Sequence, residues 1–214
     1  MRNSLGWKFL VMGIVVFLLG APLIAIHGLV EVRQAARDSA VAEIAKGVGG
    51  AQTVIGPLLV LPVIRGTQDR ETVDYEYRLP ERFTASSQLA TERRQRGLYE
   101  ARLFRGKVEL EAHFQLPTRV PTVNGARYGR PWLAVGISDV RGIGTGVALR
   151  AGADTLPVES GTGTPLLVNG IQALLPETAL GTAAGGLDVT IELPLQGTSA
   201  FLVAPVGRTS QLSI

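Results

Sequence analysis

Cysteine is absent from the 214-residue chain, and histidine occurs only at His27 and His113. The first absence excludes disulfides, thiolate metal sites and cysteine nucleophiles, and it suits a reducing or an oxidising compartment equally. The second leaves little material for imidazole chemistry. Charge is also sparse: 21 Lys and Arg stand against 18 Asp and Glu, and the net +3 gives no footprint for a polyanion, so nucleic acid is not an expected partner. With 46% hydrophobic residues the chain is too apolar for disorder. The 26 glycines and 12 prolines follow no G-X-Y period, so they punctuate a turn-rich fold instead of building a collagen.

What is present is unevenly distributed. Between Lys8 and Glu31 lie 22 residues without a formal charge, and residues 9–26 are almost wholly apolar. At ~1.5 Å per residue this run spans ~33 Å, the thickness of a hydrocarbon core, and predicts a transmembrane helix over 9–30. Pro22 is tolerable there as a kink. Arg2 and Lys8 ahead of an apolar core also suit a cleaved signal peptide. However, no A-x-A-like site follows, and the run continues through Leu23, Ile24 and Ile26, which favours a retained anchor. Arg2, Lys8 and the terminal amine place residues 1–8 in the cytoplasm. Arg33, Arg37 and Lys46 on the far side are offset by Glu31, Asp38 and Glu43.

Residues 31–50 read as a helical stalk that ends at Gly47, Gly49 and Gly50. Its apolar stripe, Val32, Ala36, Ala40 and Ile44, is thin, as expected of a solvated stalk lightly packed on its own domain. From Gln52 onward the pattern is that of strands. Residues 58–64 form an apolar run flanked by Pro57 and broken by Pro62, which suits a buried strand at a sheet edge or a bent one. The clearest alternation sets Val108, Leu110, Ala112, Phe114 and Leu116 against Glu109, Glu111, His113 and Gln115, a half-buried strand. A turn at Arg105, Gly106 and Lys107 would pair it with 98–104 as a hairpin. Further strands are predicted at 73–79, 132–137, 146–150, 187–193, 199–204 and 210–214. The fold class is therefore mainly β, an antiparallel β-rich domain over 51–214 carried by a helix and its stalk.

Candidate chemistry is thin. His27 sits at the membrane edge. His113 shares a polar strand face with Glu109 and Glu111, which could form a carboxylate-assisted metal site, but one imidazole is weak grounds and solvent exposure is the simpler account. Gly142, Gly144 and Gly146 precede a strand pattern where a phosphate loop needs a helix N-terminus, and Gly161 and Gly163 share that defect, so both groups read as turns. Ser138 has no histidine partner in view. Arg93, Arg94 and Arg96 make the one basic knot. It could touch lipid headgroups or an acidic partner, but a solvated loop beside a hairpin is the favoured account. No catalytic, cofactor-binding or metal-binding residue is assigned.

Taken in order, several segments resemble one family. They are Glu31-Val32-Arg33-Gln34, residues 40–45, Gly49-Gly50-Ala51-Gln52, Gly56-Pro57, Leu79-Pro80-Glu81, the stretch 92–99, the stretch 135–144, Gly161-Thr162-Gly163, Leu175-Pro176-Glu177 and residues 204–210. Across essentially its whole length the chain resembles the CreD family of bacterial inner-membrane proteins. The resemblance implies a periplasmic domain, a link to envelope integrity and to a stress-responsive two-component system, and no established enzymatic activity. It also implies a longer protein, in which the segment resembling 208–214 runs on into a tryptophan and histidine-proline motif and further membrane helices. On that basis the chain is expected to be the front portion, its sheet incomplete beyond 210–214. Gln172 stands where the family tends to have a histidine.

The expected function is thus a structural or interaction role in the inner membrane, with the main domain periplasmic and no enzyme activity. The partners are the lipid bilayer and either another envelope protein or further membrane helices, with no cofactor. Two alternatives stand beside it: a single-pass adaptor acting through stalk or β domain, and a periplasmic hydrolase using carboxylates such as Glu109 and Glu111.

Overall fold

The computed structural model describes residues 5–67, 70–96, 99–116, 126–176, 179 and 186–213. Arg2, Leu98, Glu177 and Ile214, which the sequence reading uses, lie outside them, as do the side chains of Ala21, Leu23, Ile24, Ala25 and Arg96.

A single helix, α1 (Leu5–Val48), runs for 44 residues through Pro22. Its end is dictated locally. Lys46 lies in the last turn, Gly49 takes φ 90°, and the Gly49 N–H donates to the Ala45 carbonyl at 2.8 Å. A glycine adopts that left-handed geometry without a Cβ penalty. The N-terminal part is apolar all round: Trp7, Phe9, Phe17, Leu18 and Leu19 are all more than 60% exposed, so no protein surface covers them. Among the described residues no helix is long and apolar enough to cross a membrane. The expected span 9–30 includes residues 21 and 23–25, whose side chains are not among those described.

The strands that follow are β1 (Gln52–Thr67), β2 (Arg70–Arg78), β3 (Arg82–Arg96), β4 (Tyr99–Phe114), β5 (Arg127–Tyr128), β6 (Trp132–Ile137), β7 (Ala148–Ala151), β8 (Asp154–Leu156), β9 (Glu159–Ser160), β10 (Gly170–Leu174), β11 (Leu187–Thr198), β12 (Phe201–Ala204) and β13 (Thr209–Ser213). Among the described residues they form two sheets. One has the order β12-β1-β6-β10-β9, with β2 and β5 also paired to β1; the other has the order β13-β3-β4-β11-β7-β8. Pairing is antiparallel except where β12 joins β1 and β13 joins β3. The fold is therefore the mainly β, antiparallel one expected.

The sheets pack face to face. Leu59, Leu61, Leu133, Val135 and Ala173 from one meet Leu110, Phe114, Ile191, Leu193 and Leu149 from the other in one buried cluster. β4 carries the expected alternation, with Val108, Leu110 and Phe114 fully buried. The outer face of the first sheet has its own cover: Trp132, Leu58, Val60 and Leu167 form a second cluster, and the Trp132 indole N–H donates to the Thr162 carbonyl at 2.9 Å. The turn glycines Gly161 (φ 97°) and Gly163 (φ 64°) carry the chain over that face.

Three expectations are corrected. Residues 105–107 form no turn: β4 runs straight through them, and its hairpin partner is β3, aligned from Arg82↔His113 to Arg96↔Tyr99. Gly106 lies opposite Leu89, and a Cβ there would fall 1.9 Å from the Gln88 carbonyl oxygen. The glycine permits close approach of two strands, which in sequence looks like a turn. Second, the basic knot is not a loop, since Arg93 and Arg94 are strand residues of β3. Third, the run 58–64 is not an edge strand, because β1 has neighbours on both sides. It is bent instead, with a shift in pairing register between Ile55 and Leu58.

Candidate functional site

A dense polar cluster lies where α1 hands over to the sandwich. It is built from the segment 49–53, the segment 138–142 that follows β6, and the end of β11. Asp139 is the hub. One of its carboxylate oxygens, Oδ2, accepts from the Gly50 N–H at 2.9 Å and from Arg141 Nη2 at 2.7 Å. The other, Oδ1, accepts from the Arg141 Nε at 2.9 Å and from the Arg141 N–H at 3.1 Å. The two-pronged guanidinium contact, helped by the backbone donors of Gly50 and Arg141, lowers the Asp139 pKa to about 2 against the opposing effect of burial. Asp139 is also the N-cap of the short 3-10 turn Val140–Gly142.

Gln52 is fully buried beneath it. Its amide nitrogen donates to the Asp139 carbonyl at 3.0 Å, while its Oε1 has no partner. Gly142 is the residue that makes room, since a Cβ there would lie 2.2 Å from Gln52 Nε2 and 2.3 Å from the Gln196 carbonyl oxygen. Ser138 closes the near side, donating to the Ala51 carbonyl and accepting from the Thr53 N–H, both at 2.9 Å. On the far side, Thr198 donates its N–H to the Gly50 carbonyl at 3.0 Å. The five residues after the helix are thus clamped from two directions. With its hydroxyl engaged on both sides and no imidazole among these partners, Ser138 is placed to hold backbone and not to attack a substrate.

His113 sits elsewhere, on the outer face of the second sheet, one quarter exposed. Its Nδ1 lies 2.7 Å from Asp188 Oδ1, because β11 aligns Asp188 directly opposite it. Arg82, Thr84, Glu111 and Thr190 rim the same shallow depression. Among the described residues no group of three His, Asp or Glu side chains is placed to hold a metal ion. His27, on α1, lies 3.5 Å from Glu31 one turn on. The glycines of 142–146 cradle nothing: the Gly144 N–H is spent on the Pro194 carbonyl at 2.8 Å. Gly144 and Gly146 border an open groove of about 690 Å³ with Val147, Val158 and Ile171.

The Asp139–Gly50 and His113–Asp188 pairings escaped sequence reasoning because the partners are 89 and 75 residues apart. No local pattern marks them.

A family model described as inner membrane protein CreD matches residues 4–214. The chain belongs to the CreD family. The inner membrane protein CreD of Escherichia coli (strain K12) is 26% identical to it over 224 aligned residues, covering 100% of this chain and 49% of the relative. The chain therefore spans about half the length of that curated relative. No solved structure matches it. In this CreD chain the two segments that carry much of the resemblance, 49–52 and 135–144, are the two halves of the junction. Gln172, in place of the histidine that the resemblance leads one to expect, donates to Glu159 Oε2 at 3.3 Å.

Proposed function

We propose that this CreD chain is an inner-membrane protein whose α1 crosses the bilayer over 9–30, with residues 1–8 cytoplasmic and the β sandwich held in the periplasm. It acts there as a structural or interaction module of the envelope and not as an enzyme. The observation that carries this reading is the continuity of one helix, apolar and exposed on every side at its N-terminal part, into a junction that grips its end from two directions. An all-round apolar helix is favourable in lipid and costly in water. A clamped exit makes the sandwich follow the orientation of the span instead of trailing on a linker. The name of the E. coli relative supports the membrane assignment.

Because the chain has no native cysteine, a Ser160→Cys variant reports topology without background. Labelling by a membrane-impermeant maleimide in cells with a permeabilised outer membrane is the expected result. Labelling only after lysis reverses the orientation.

A hydrolase reading draws on one specific observation, the His113–Asp188 pair. An oriented imidazole is the general-base half of such a site. The envelope role is expected to survive in a stably expressed Glu109→Gln, Glu111→Gln, His113→Gln triple variant. Its loss would favour hydrolysis.

A further inference from the structure

The β3–β4 hairpin overruns the sandwich. The even-numbered side chains of β4 are core from Phe104 to Phe114, yet Arg102 and Glu100, next on that face, are exposed. On the opposite face Ala101 and Leu103 stay buried because they form one cluster with Ile44 and Val48 of α1, with Val41 packed against it. The junction fixes the direction. Thr198 is paired with Leu103 and holds Gly50, so Leu103 lies at the C-terminal end of the helix and Ala101 lies further back along it. Helix and hairpin run side by side, and the free end of the hairpin points toward the N-terminal part of α1. There Arg93 is opposite Arg102 and Arg94 is opposite Ala101, and all three arginines are exposed. Glu100 approaches Arg93 at 3.3 Å and Glu92 is also exposed there, so the three arginines outnumber the two carboxylates.

The reach can be estimated. From Leu103 the strand advances ~3 Å to Arg102, the partner of Arg93, and ~7 Å to Ala101, the partner of Arg94, at ~3.3 Å per residue. From Val48 back to Val30 the helix covers ~27 Å. Once a headgroup layer of ~6 Å is allowed for, ~14 Å separates the Arg94 position from the bilayer surface and ~18 Å separates Arg93 and Arg102 from it. Arginine side chains of ~6 Å and an ordinary tilt of ~20° toward the arm bring Arg94 close to the headgroups and Arg93 and Arg102 within about one Debye length of them.

We propose that this hairpin is a membrane-surface arm, with Arg94 nearest the phosphates of anionic phospholipids beside the point where α1 leaves the bilayer, and Arg93 and Arg102 drawn to the same surface by its charge. The proposal rests on the reading of 9–30 as a span. Guanidinium groups suit the partner because their planar donors match phosphate oxygens and their charge is permanent. A pair of strands presents them on a stiff element whose base is held against the helix. A solvated arm would have no preferred lipid, whereas this one is specific for surface charge.

The test uses the full 214-residue chain with a fluorophore on a single introduced cysteine, Gln95→Cys on the arm or Leu29→Cys at the span end. Each is reconstituted into vesicles carrying a headgroup-linked quencher, made of phosphatidylcholine alone or enriched in phosphatidylglycerol. Quenching at position 95 is expected to be about threefold stronger in the anionic vesicles and to lose that excess at high salt. Replacing Arg93, Arg94 and Arg102 together by glutamine abolishes the excess, and replacing them by lysine retains it, which separates charge from fold. Equal quenching in the two vesicle types, or a glutamine variant indistinguishable from the parent, overturns the arm alone when position 29 is quenched in both. Absence of quenching at position 29 overturns the span, and the arm with it.

Discussion

Asp139 shows how much a single carboxylate can hold. It joins a backbone donor after the helix to an arginine two residues along its own segment, and both contacts favour its ionised form. Its pKa is lowered from 3.8 to about 2, so its contribution is fully present above the unfolded value and is lost as the pH falls toward the folded one. Asp139→Asn is therefore expected to destabilise the protein by about 2 kcal/mol at neutral pH, the scale of a lost charged hydrogen bond. The deficit should shrink steadily between pH 4 and pH 2, where the parent carboxylate is itself protonated. Urea unfolding at a series of pH values measures this, and a deficit of constant size across that range would assign it to packing instead. Nothing in the sequence singled out Asp139 as a hub. Its local surroundings, Ser138-Asp139-Val140-Arg141-Gly142, read as an ordinary polar turn. The meaning comes from Gly50, which only the fold brings near.

At the scale of elements, legibility followed burial. β4 and β6 were readable because their buried faces impose a pattern: a period of two in β4, and in β6 a continuous apolar run covered on both faces. β3 was not, because only Phe83 and Ala85 among its side chains are buried hydrophobics and its second half is stretched along β4 by backbone pairing and the exposed Arg93–Glu100 ion pair. A strand held by ladder hydrogen bonds leaves no hydrophobic signature, so its arginines looked like a loop. The same logic misread Gly106, whose role is to admit the neighbouring backbone. The two faces of β4 give a direct test. Leu110→Ala removes a fully buried side chain from between the sheets and is expected to cost about 3 kcal/mol, whereas Glu111→Ala on the exposed face is expected to stay within about 0.5 kcal/mol. Chemical denaturation of both variants checks this. Comparable losses would mean that the second sheet is held by its outer face.

For the whole molecule, the consequential feature is that the proposed span and the stalk form one continuous helix, α1, whose apolar contact with the domain is made by Val41, Ile44 and Val48. Residues inserted between Arg37 and Asp38 therefore change the relation of domain to membrane without entering either contact region. One added alanine turns the sandwich by ~100° about the helix axis and lifts it by only ~1.5 Å. Seven added residues lift it by ~10.5 Å and return it to within ~20° of its original face. A lipid surface is the same in every direction around a single span, so the arm should be indifferent to rotation and sensitive to height. A neighbouring membrane helix would impose the opposite rule, because a partner lies on one side. Thermal unfolding of the sandwich is expected to be the same for the parent and both insertions, since the clamp at Gly50 and Asp139 is untouched. In anionic vesicles, quenching of a label at position 95 is expected to survive the one-residue insertion and to fall at least severalfold with the seven-residue one. Loss with one residue and recovery with seven would show that the domain works against a partner at a fixed angle around α1, and would move the basic arm from lipid recognition to protein recognition.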